Sequence, residues 1–400
     1  LMVVPGFEQS SRTFSDAYAQ LPEFLMCLIF SGFGVAVMAS STDLTSLFLG
    51  LETLSIGIYS LCGFYRTDIR STESAFKYLL IGAFSTVIFL YGVAFIYGAT
   101  GATNYSKILL ALQSGHSALL TFGIVFLIAG FAFKLALVPF HLYTPDVYEG
   151  APTPVTAYMA TILKIGASAA ALRVFWGFLS TNADLWQPLW LALCTLSILV
   201  GNIAALQQKT VKRLLAFSGI SHAGFIGLAL VVASPGGGNI FALVSYLVVY
   251  TAMSFGTFAL VHYLETRDRP FLVEDLKGLG RKHFWSAFAL TLFLLGMAGI
   301  PPLAGFMIKF WVLQGLVEAG FWSAALGAVI GSVIGAAYYL RLLIYIFVSE
   351  EDGGVVQWIG SRDRFLALRL VVAAGLLITV LGSIRPQIYA DWILTSLALK

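Results

Sequence analysis

The sequence predicts an all-α integral membrane protein of about eleven transmembrane helices, and three observations predict it. Of the 400 residues, 59% are hydrophobic and 11% are charged, and the mean hydropathy is +0.88. A soluble domain of that balance could not cover its surface with polar groups, so lipid is the solvent for much of the chain. Apolar runs long enough to cross about 30 Å of hydrocarbon fall near 22–40, 43–63, 74–98, 117–142, 153–178, 185–205, 211–232, 239–262, 284–317, 322–348 and 366–386. Each is rich in Leu, Ala, Gly and Phe and lacks the two-residue alternation of an outer-membrane barrel.

Composition also excludes some functions. The net charge of +3 is small, and no dense basic run with interleaved aromatics is present, which leaves no basis for a nucleic-acid partner. Cys27, Cys62 and Cys194 lie far apart in apolar runs, as buried small hydrophobes rather than a disulfide frame or a cluster site. The opening LMVVPGFEQSSRTFSDAYAQ is neither a signal peptide nor a full span. LMVV reads as the tail of a preceding helix, so further helices are expected before residue 1.

The connections set an orientation. Every second one, from residue 1, carries basic residues: Arg12, then Arg66 and Arg70, then Lys209, Lys212 and Arg213, then Arg267, Arg269, Lys277, Arg281 and Lys282, then Arg362 and Arg364. The connection 143–152 in that series has none, and the opposite side offers only Lys107, Arg385 and Lys400. By the positive-inside rule, residues 1–21 are cytoplasmic and the C-terminus lies outside.

Two runs carry an internal break. Pro139 interrupts AGFAFKLALVPFHLYTPDVYEGAPTPV in the fourth, and Pro301 and Pro302 interrupt LLGMAGIPPLAGFMIKF in the ninth. Proline removes a backbone donor and clashes with the preceding turn, so each helix should kink or unwind there. Irregular backbone at membrane depth persists only when buried in protein or lining a watery cavity. The breaks are five spans apart, an odd number, so a second five-helix unit would be inverted relative to the first, an arrangement that points to a transport site. The expected division is a cytoplasmic lead-in at 1–21, a first unit at 22–179, a second at 180–348, and a loop with a last helix at 349–400.

Within the spans the ionisable residues are few: Glu52, Lys77, Lys134, Lys164, Lys309 and Arg341, with His141 and His222. A lysine at a helix centre costs roughly 2.5–3.5 kcal/mol on insertion scales, and a fold with no use for four of them would do better with leucine. Each has a plainer reading. Lys77, near the start of its helix, can snorkel to the headgroups. Lys134 can be a cation at a helix end, and Lys164 and Lys309 can sit in static salt bridges. Arg341 hardly ever releases a proton and reads as structural. Glu52 is the only acid well inside a span and needs a cation or a proton. Lys77, on the next antiparallel helix at a compatible depth, is its expected partner. His141 follows the Pro139 break and His222 is midway along its span; each is a relay candidate or a satisfied core residue. No His/Cys ligand spacing suggests a metal, and KGLGRKH lacks the glycines of a phosphate loop.

The strings SAFKYLLIGAFSTVIFLYG, FKLALVPFHLYTPDVYEGAPTPV, KRLLAFSGISHAGFIGLAL and GIPPLAGFMIKF resemble the antiporter-like membrane subunits of respiratory complex I. The resemblance covers nearly the whole chain. Within that family it is similar to the N-type subunits: position 309 is a lysine where an M-type subunit would have glutamate, and no long lateral helix of the L type follows residue 386. The resemblance implies fourteen helices, of which this chain would lack the first three, and a location in the bacterial inner membrane. It implies roles for Glu52 as the transmembrane glutamate and Lys77 as the lysine paired with it. Lys134 would be the lysine of the first broken helix, Lys164 the connecting lysine and Lys309 the lysine of the second broken helix. It further implies a subunit moving protons while electrons pass from NADH to quinone elsewhere. The chain itself would hold no cofactor; FMN, iron–sulfur clusters and quinone would belong to partner subunits. The partners would be M-, L-, K-, A- and J-like membrane subunits and the lipid bilayer. Two relatives in this ancestry, a multisubunit sodium/proton antiporter and a hydrogenase-linked complex, and a purely structural scaffold, are the alternatives.

Overall fold

The computed structural model describes residues 14–112, 117–233, 240–265, 269–349 and 366–384, with side chains from residue 20 onward and from 368 in the last segment. Arg12, Arg267, Arg362, Arg364, Arg385, Lys400 and most of the expected lead-in and late loop lie outside the described residues.

Every expected apolar run is helical over most of its described length. The helices are α1 (Phe14–Ser40), α2 (Leu44–Cys62), α3 (Ile69–Thr100), a short α4 (Tyr105–Leu112), α5 (Ala118–Leu135), α6 (Thr144–Gly150), α7 (Thr153–Arg173), α8 (Ala183–Leu206), α9 (Val211–Val232), α10 (Ile240–Leu264), α11 (Phe284–Ala298), α12 (Ala304–Glu318), α13 (Trp322–Phe347) and α14 (Leu366–Ile384). Among the described residues nine are long and apolar enough to cross a membrane. The expected count of eleven is not confirmed among the described residues: the run at 284–317 is divided between α11 and α12, and side chains of the last run are described only over 368–384. Sequence-local caps set several starts. The Asp43 carboxylate accepts from the Thr45 and Ser46 amides at the head of α2 (3.0 and 2.8 Å), and the Ser117 hydroxyl accepts from Leu120 N at the head of α5 (3.3 Å).

The tightest helix pairs meet through glycine. Gly50 lies so close to α1 that a Cβ there would be 2.7 Å from Met38 N. In the α8–α9 pair, Gly224 stands against Cys194 O, where a Cβ would be 2.6 Å away. In lipid, where burying apolar side chains between helices gains little, such small-residue contacts let backbones approach and gain dispersion energy. The α1–α2 and α8–α9 pairs are the first two helices of the two expected five-helix units.

Both breaks are present, and the first starts earlier than expected. The sequence places the end of the helix at Pro139, yet α5 stops at Leu135. Ala136 turns into the left-handed region (φ 60°), with its N–H directed at Ala132 O and Phe133 O. A proline disfavours helical backbone at the residue before it, so the ending propagates upstream. The freed N–H of Val138 donates to Ser197 Oγ of α8 at 2.8 Å, so that donor is not orphaned in the gap. The chain then recoils into α6. At the second break α11 ends at Ala298 and Gly299 takes φ +82° as its cap. The first amide of α12, Ala304 N, donates to Ser383 Oγ of α14 (2.8 Å).

Candidate functional site

The ionisable residues of the spans fall into two groups. Lys134, Lys164, Lys309 and His222 are buried in the bundle interior, whereas Lys77 stands at its rim with 40% of its side chain exposed.

Lys134 occupies the last turn of α5, immediately before the break, and its ammonium donates to Ser55 Oγ of α2 at 2.7 Å. Ser55 is three residues after Glu52 on α2, so the two side chains are neighbours on one helix face. Glu52 itself accepts from Thr86 Oγ1 of α3 at 2.6 Å. The expected Glu52–Lys77 pair is not made. Lys77 instead holds Glu73 at 2.8 Å and Asp146 of α6 at 2.9 Å. Depth is the reason: Thr86, level with Glu52, is nine residues beyond Lys77 on α3, about 13 Å along the axis, farther than a lysine side chain reaches.

Behind Lys134 a stack of rings forms a wall. Tyr143 lies flat against Phe133 (centroids 4.6 Å) and Tyr78 (5.0 Å), and its hydroxyl donates to Phe133 O at 3.0 Å. A cavity no larger than a single water molecule occupies is lined by Lys134, Tyr143, Tyr148 and Lys164 together. Lys164 on α7 donates to Gly219 O of α9 and to the Tyr250 hydroxyl of α10 (3.3 Å). Its ammonium also lies 5.1 Å from the Tyr250 ring centre, within cation–π range.

The row continues through His222. Its ring packs against Tyr250 (4.8 Å), Nδ1 is 2.8 Å from Tyr246 OH and Nε2 is 3.4 Å from Tyr339 OH. The Tyr339 hydroxyl in turn shares a hydrogen bond with Ser218 Oγ. Phe225, one turn beyond His222, carries the row to Lys309, whose ammonium lies 5.3 Å from that ring centre. Lys309 folds back across the second break and donates to Met297 O (2.9 Å) and Ala298 O (3.0 Å), the terminal carbonyls of α11. It therefore binds the negative end of that half-helix.

No carboxylate lies within 4 Å of the Lys134, Lys164 or Lys309 ammonium among the described residues, so the static salt bridges expected as the plainer reading are absent. All three contact neutral oxygens and ring faces. A buried ammonium without a counter-ion is costly, and neutral oxygens can hold either an ammonium or an amine. Nothing in this geometry locks the three permanently charged.

His141 is buried beside the Phe217 ring (6.4 Å); among the described residues its Nδ1 has no hydrogen-bond partner and no contact joins it to the lysine row. Arg341 clasps Leu206 O (2.7 Å) and Gln208 O (3.0 Å) at the end of α8, a structural contact as expected. The three cysteines are free thiols, and among the described residues no three His, Cys, Asp or Glu side chains are grouped to hold a metal ion.

Several participants are not singled out by sequence reasoning. Tyr246 and Tyr250 are four apart on α10, and Ser218 and His222 four apart on α9, the spacing of one helix face; that periodicity is a readable signal. Asp146 gives none, because it stands in a loop-like string and acquires Lys77 and Arg213 (2.6 Å) only after the break recoils. Burial alone would raise the Asp146 carboxyl, but the hydrogen bonds from Lys77 and Arg213 outweigh it and hold it below its ordinary value. Glu265 follows the same pattern beyond the end of α10. Burial raises it, while Lys212, His262 and Thr153 hold it down from 4.5 to about 2. A carboxyl depressed on folding adds stability above its unfolded value and loses it as pH falls through the folded one. The melting temperature of the solubilised protein should therefore drop between pH 4.5 and about 2, and Glu265→Gln should flatten that portion of the profile. An unchanged profile would contradict this.

Interrupted helices, glycine-tight pairs and a row of buried cations across the middle define a membrane subunit of the antiporter-like class. Residues 41–335 match the family described as NADH:quinone oxidoreductase/Mrp antiporter, TM. The chain is 40% identical over 366 residues to NADH-quinone oxidoreductase subunit N of Methylobacterium nodulans, covering 91% of this chain and 74% of the relative. It is 41% identical over 382 residues to the subunit N of Trichlorobacter lovleyi, covering 93% and 75%. A chain of respiratory complex I from Thermus thermophilus with bound aureothin superposes with a TM-score of 0.79 at 36% identity, covering 92% of this chain and 79% of that one. The chain belongs to the NADH-quinone oxidoreductase subunit N family of antiporter-like membrane proteins.

Proposed function

We propose that the chain is the proton-translocating N-type subunit of a bacterial inner-membrane NADH:quinone oxidoreductase, moving protons along Lys134, Lys164, His222 and Lys309. The observation that carries the reading is the succession of buried lysines through the bundle interior, none of them within 4 Å of a carboxylate among the described residues. Two inverted five-helix units, 22–179 and 180–348, would each contribute one broken helix, which places Lys134 and Lys309 at the two ends.

The physics of the row favours stepwise transfer. Two unit charges roughly 10 Å apart repel by about 1.7 kcal/mol at an effective dielectric near 20, more than a tenfold bias in occupancy. A proton arriving on one amine therefore promotes release from the next. Glu52, one step from Ser55, biases Lys134, and the Ser55 and Tyr250 hydroxyls can pass a proton because each both accepts and donates. Lys77 and Asp146 stand at the basic-side rim, where a change at α6 would reach both Lys77 and Arg213. His141 is retained as a side branch at the first break. Electron transfer would occur in partner subunits that hold FMN, iron–sulfur clusters and quinone, coupled through M-, L-, K-, A- and J-like membrane neighbours.

Gentle detergent extraction tests the assembly: flavin and iron–sulfur subunits should accompany the chain, and their replacement by cation-antiporter subunits alone would favour the sodium/proton reading. Lys134→Ala tests the row. NADH-driven acidification of reconstituted vesicles should fall at least about tenfold, and full pumping in a normally assembled complex would leave only a scaffold.

A further inference from the structure

A pocket opens where α7, α9 and α10 end on the basic side, outside the lysine row. Gly150, Thr153, Lys212, His262, Glu265 and Arg269 contribute to its walls. Glu265 organises it: Oε2 lies 3.9 Å from Lys212 Nζ, Oε1 lies 3.2 Å from His262 Nδ1, and the Thr153 hydroxyl donates to Oε1. Lys212 is further tied to Ala151 O, just past α6, at 2.9 Å. The His262 side chain is only 5% exposed, yet its Nε2 has no hydrogen-bond partner among the described residues. One ring nitrogen is thus fixed by a carboxylate while the other is left for a mobile partner.

The same three helices hold the centre of the row. Thr153 and Lys164 are eleven residues apart on α7, about 16 Å, and Lys212 and Gly219 are seven apart on α9, about 10 Å. On α10, Tyr250, Ser254 and Thr257 share a sector of about 60°. Thr257 Oγ1, seven residues after Tyr250 and five before His262 on α10, is a second buried polar atom without a hydrogen-bond partner among the described residues. Buried polar atoms are rarely left unsatisfied and are commonly met by ordered water, so each of the two orphans offers a place to a water molecule.

We infer that this pocket is the proton entry of the chain, with His262 as the exchanging group and Glu265 as the fixed charge that orients it. The inference rests on the proposed relay through Lys164. Nε2 takes a proton from pocket water, leaving hydroxide to the cytoplasmic medium, and the imidazolium is stabilised by Glu265. The same nitrogen then releases that proton along the Thr257 hydroxyl and water to a neutral Lys164 amine, restoring the neutral ring. Glu265, held at about 2, stays ionised throughout and does not itself carry the proton.

The test uses the purified complex in vesicles. His262→Ala should slow NADH-driven proton transport at least about tenfold, and imidazole added on the cytoplasmic side should restore much of it; Thr257→Val should cause a smaller loss that imidazole does not repair. Full transport by His262→Ala, or a loss that imidazole leaves untouched, overturns the entry site. Should the alanine variant fail to assemble, His262→Asn, whose amide can still donate to Glu265, is read in its place: the same loss with the same rescue supports the entry site, and full transport or a loss without rescue overturns it. Lys164→Met separates the two levels: if it alone is slow, only the entry site falls, and if it also transports at full rate, the relay beneath it has failed.

Discussion

A complex rebuilt with Lys164→Met inserts and assembles but transports protons at least about tenfold more slowly. Methionine nearly matches the lysine in length and volume, so the space between α7, α9 and α10 stays filled. The Tyr250 hydroxyl loses a partner, a cost of about 1–3 kcal/mol for an unsatisfied buried group. Against that, an unpaired cationic group no longer has to be buried, which offsets much of the loss. The fold is thus nearly indifferent to the change while the row is cut at its centre, between the cavity shared with Lys134 and the Tyr250–His222 stack. Dye quenching in vesicles and native gels of the same preparation read the two effects separately. Unaltered transport would remove Lys164 from the path, and loss of the assembled complex would make it structural.

Gly305→Ala should have the largest effect on folding. The residue lies where α12 crosses α11, and a Cβ there would fall inside the contact radius of Gly296 O. The obstacle is backbone carbonyl, which cannot rotate away, so the half-helices must part. Parting them withdraws Met297 O and Ala298 O from Lys309. Overpacking of a rigid site costs typically about 1–3 kcal/mol, and here the loss of the Lys309 contacts adds to it. Subunit abundance and melting temperature should both fall sharply. Gly98→Ala, where a Cβ would meet nothing within 4 Å, is the control and should be silent. A Gly305→Ala protein as stable as that control would mean the second break packs differently.

Much of this arrangement is legible in the amino-acid order, and the part that is not has a physical cause. Span length and proline position are local properties, so the apolar runs, both breaks and the mid-helix positions of Lys164 and His222 can be read directly. Partner choice depends on helix rotation, which an amphipathic stripe would reveal. Helices α7, α9 and α10 are apolar on nearly all sides, and α9 is buried almost along its length, so none announces which face meets which neighbour. Sequence reasoning consequently pairs Glu52 with Lys77 rather than Thr86, because adjacency along the chain substitutes for depth. Asp146 and Glu265 escape notice for a related reason. Both stand outside the apolar runs and acquire their partners only when α6 and the end of α10 fold back against Arg213 and Lys212.

The proton count per NADH in sealed vesicles is the decisive quantity, read with electron transfer to quinone in the same sample. With Lys309→Met at the far end of the row, the count should fall below that of the unmodified complex even where some electron transfer persists. An unchanged count at an unchanged turnover would show that protons do not travel by these lysines.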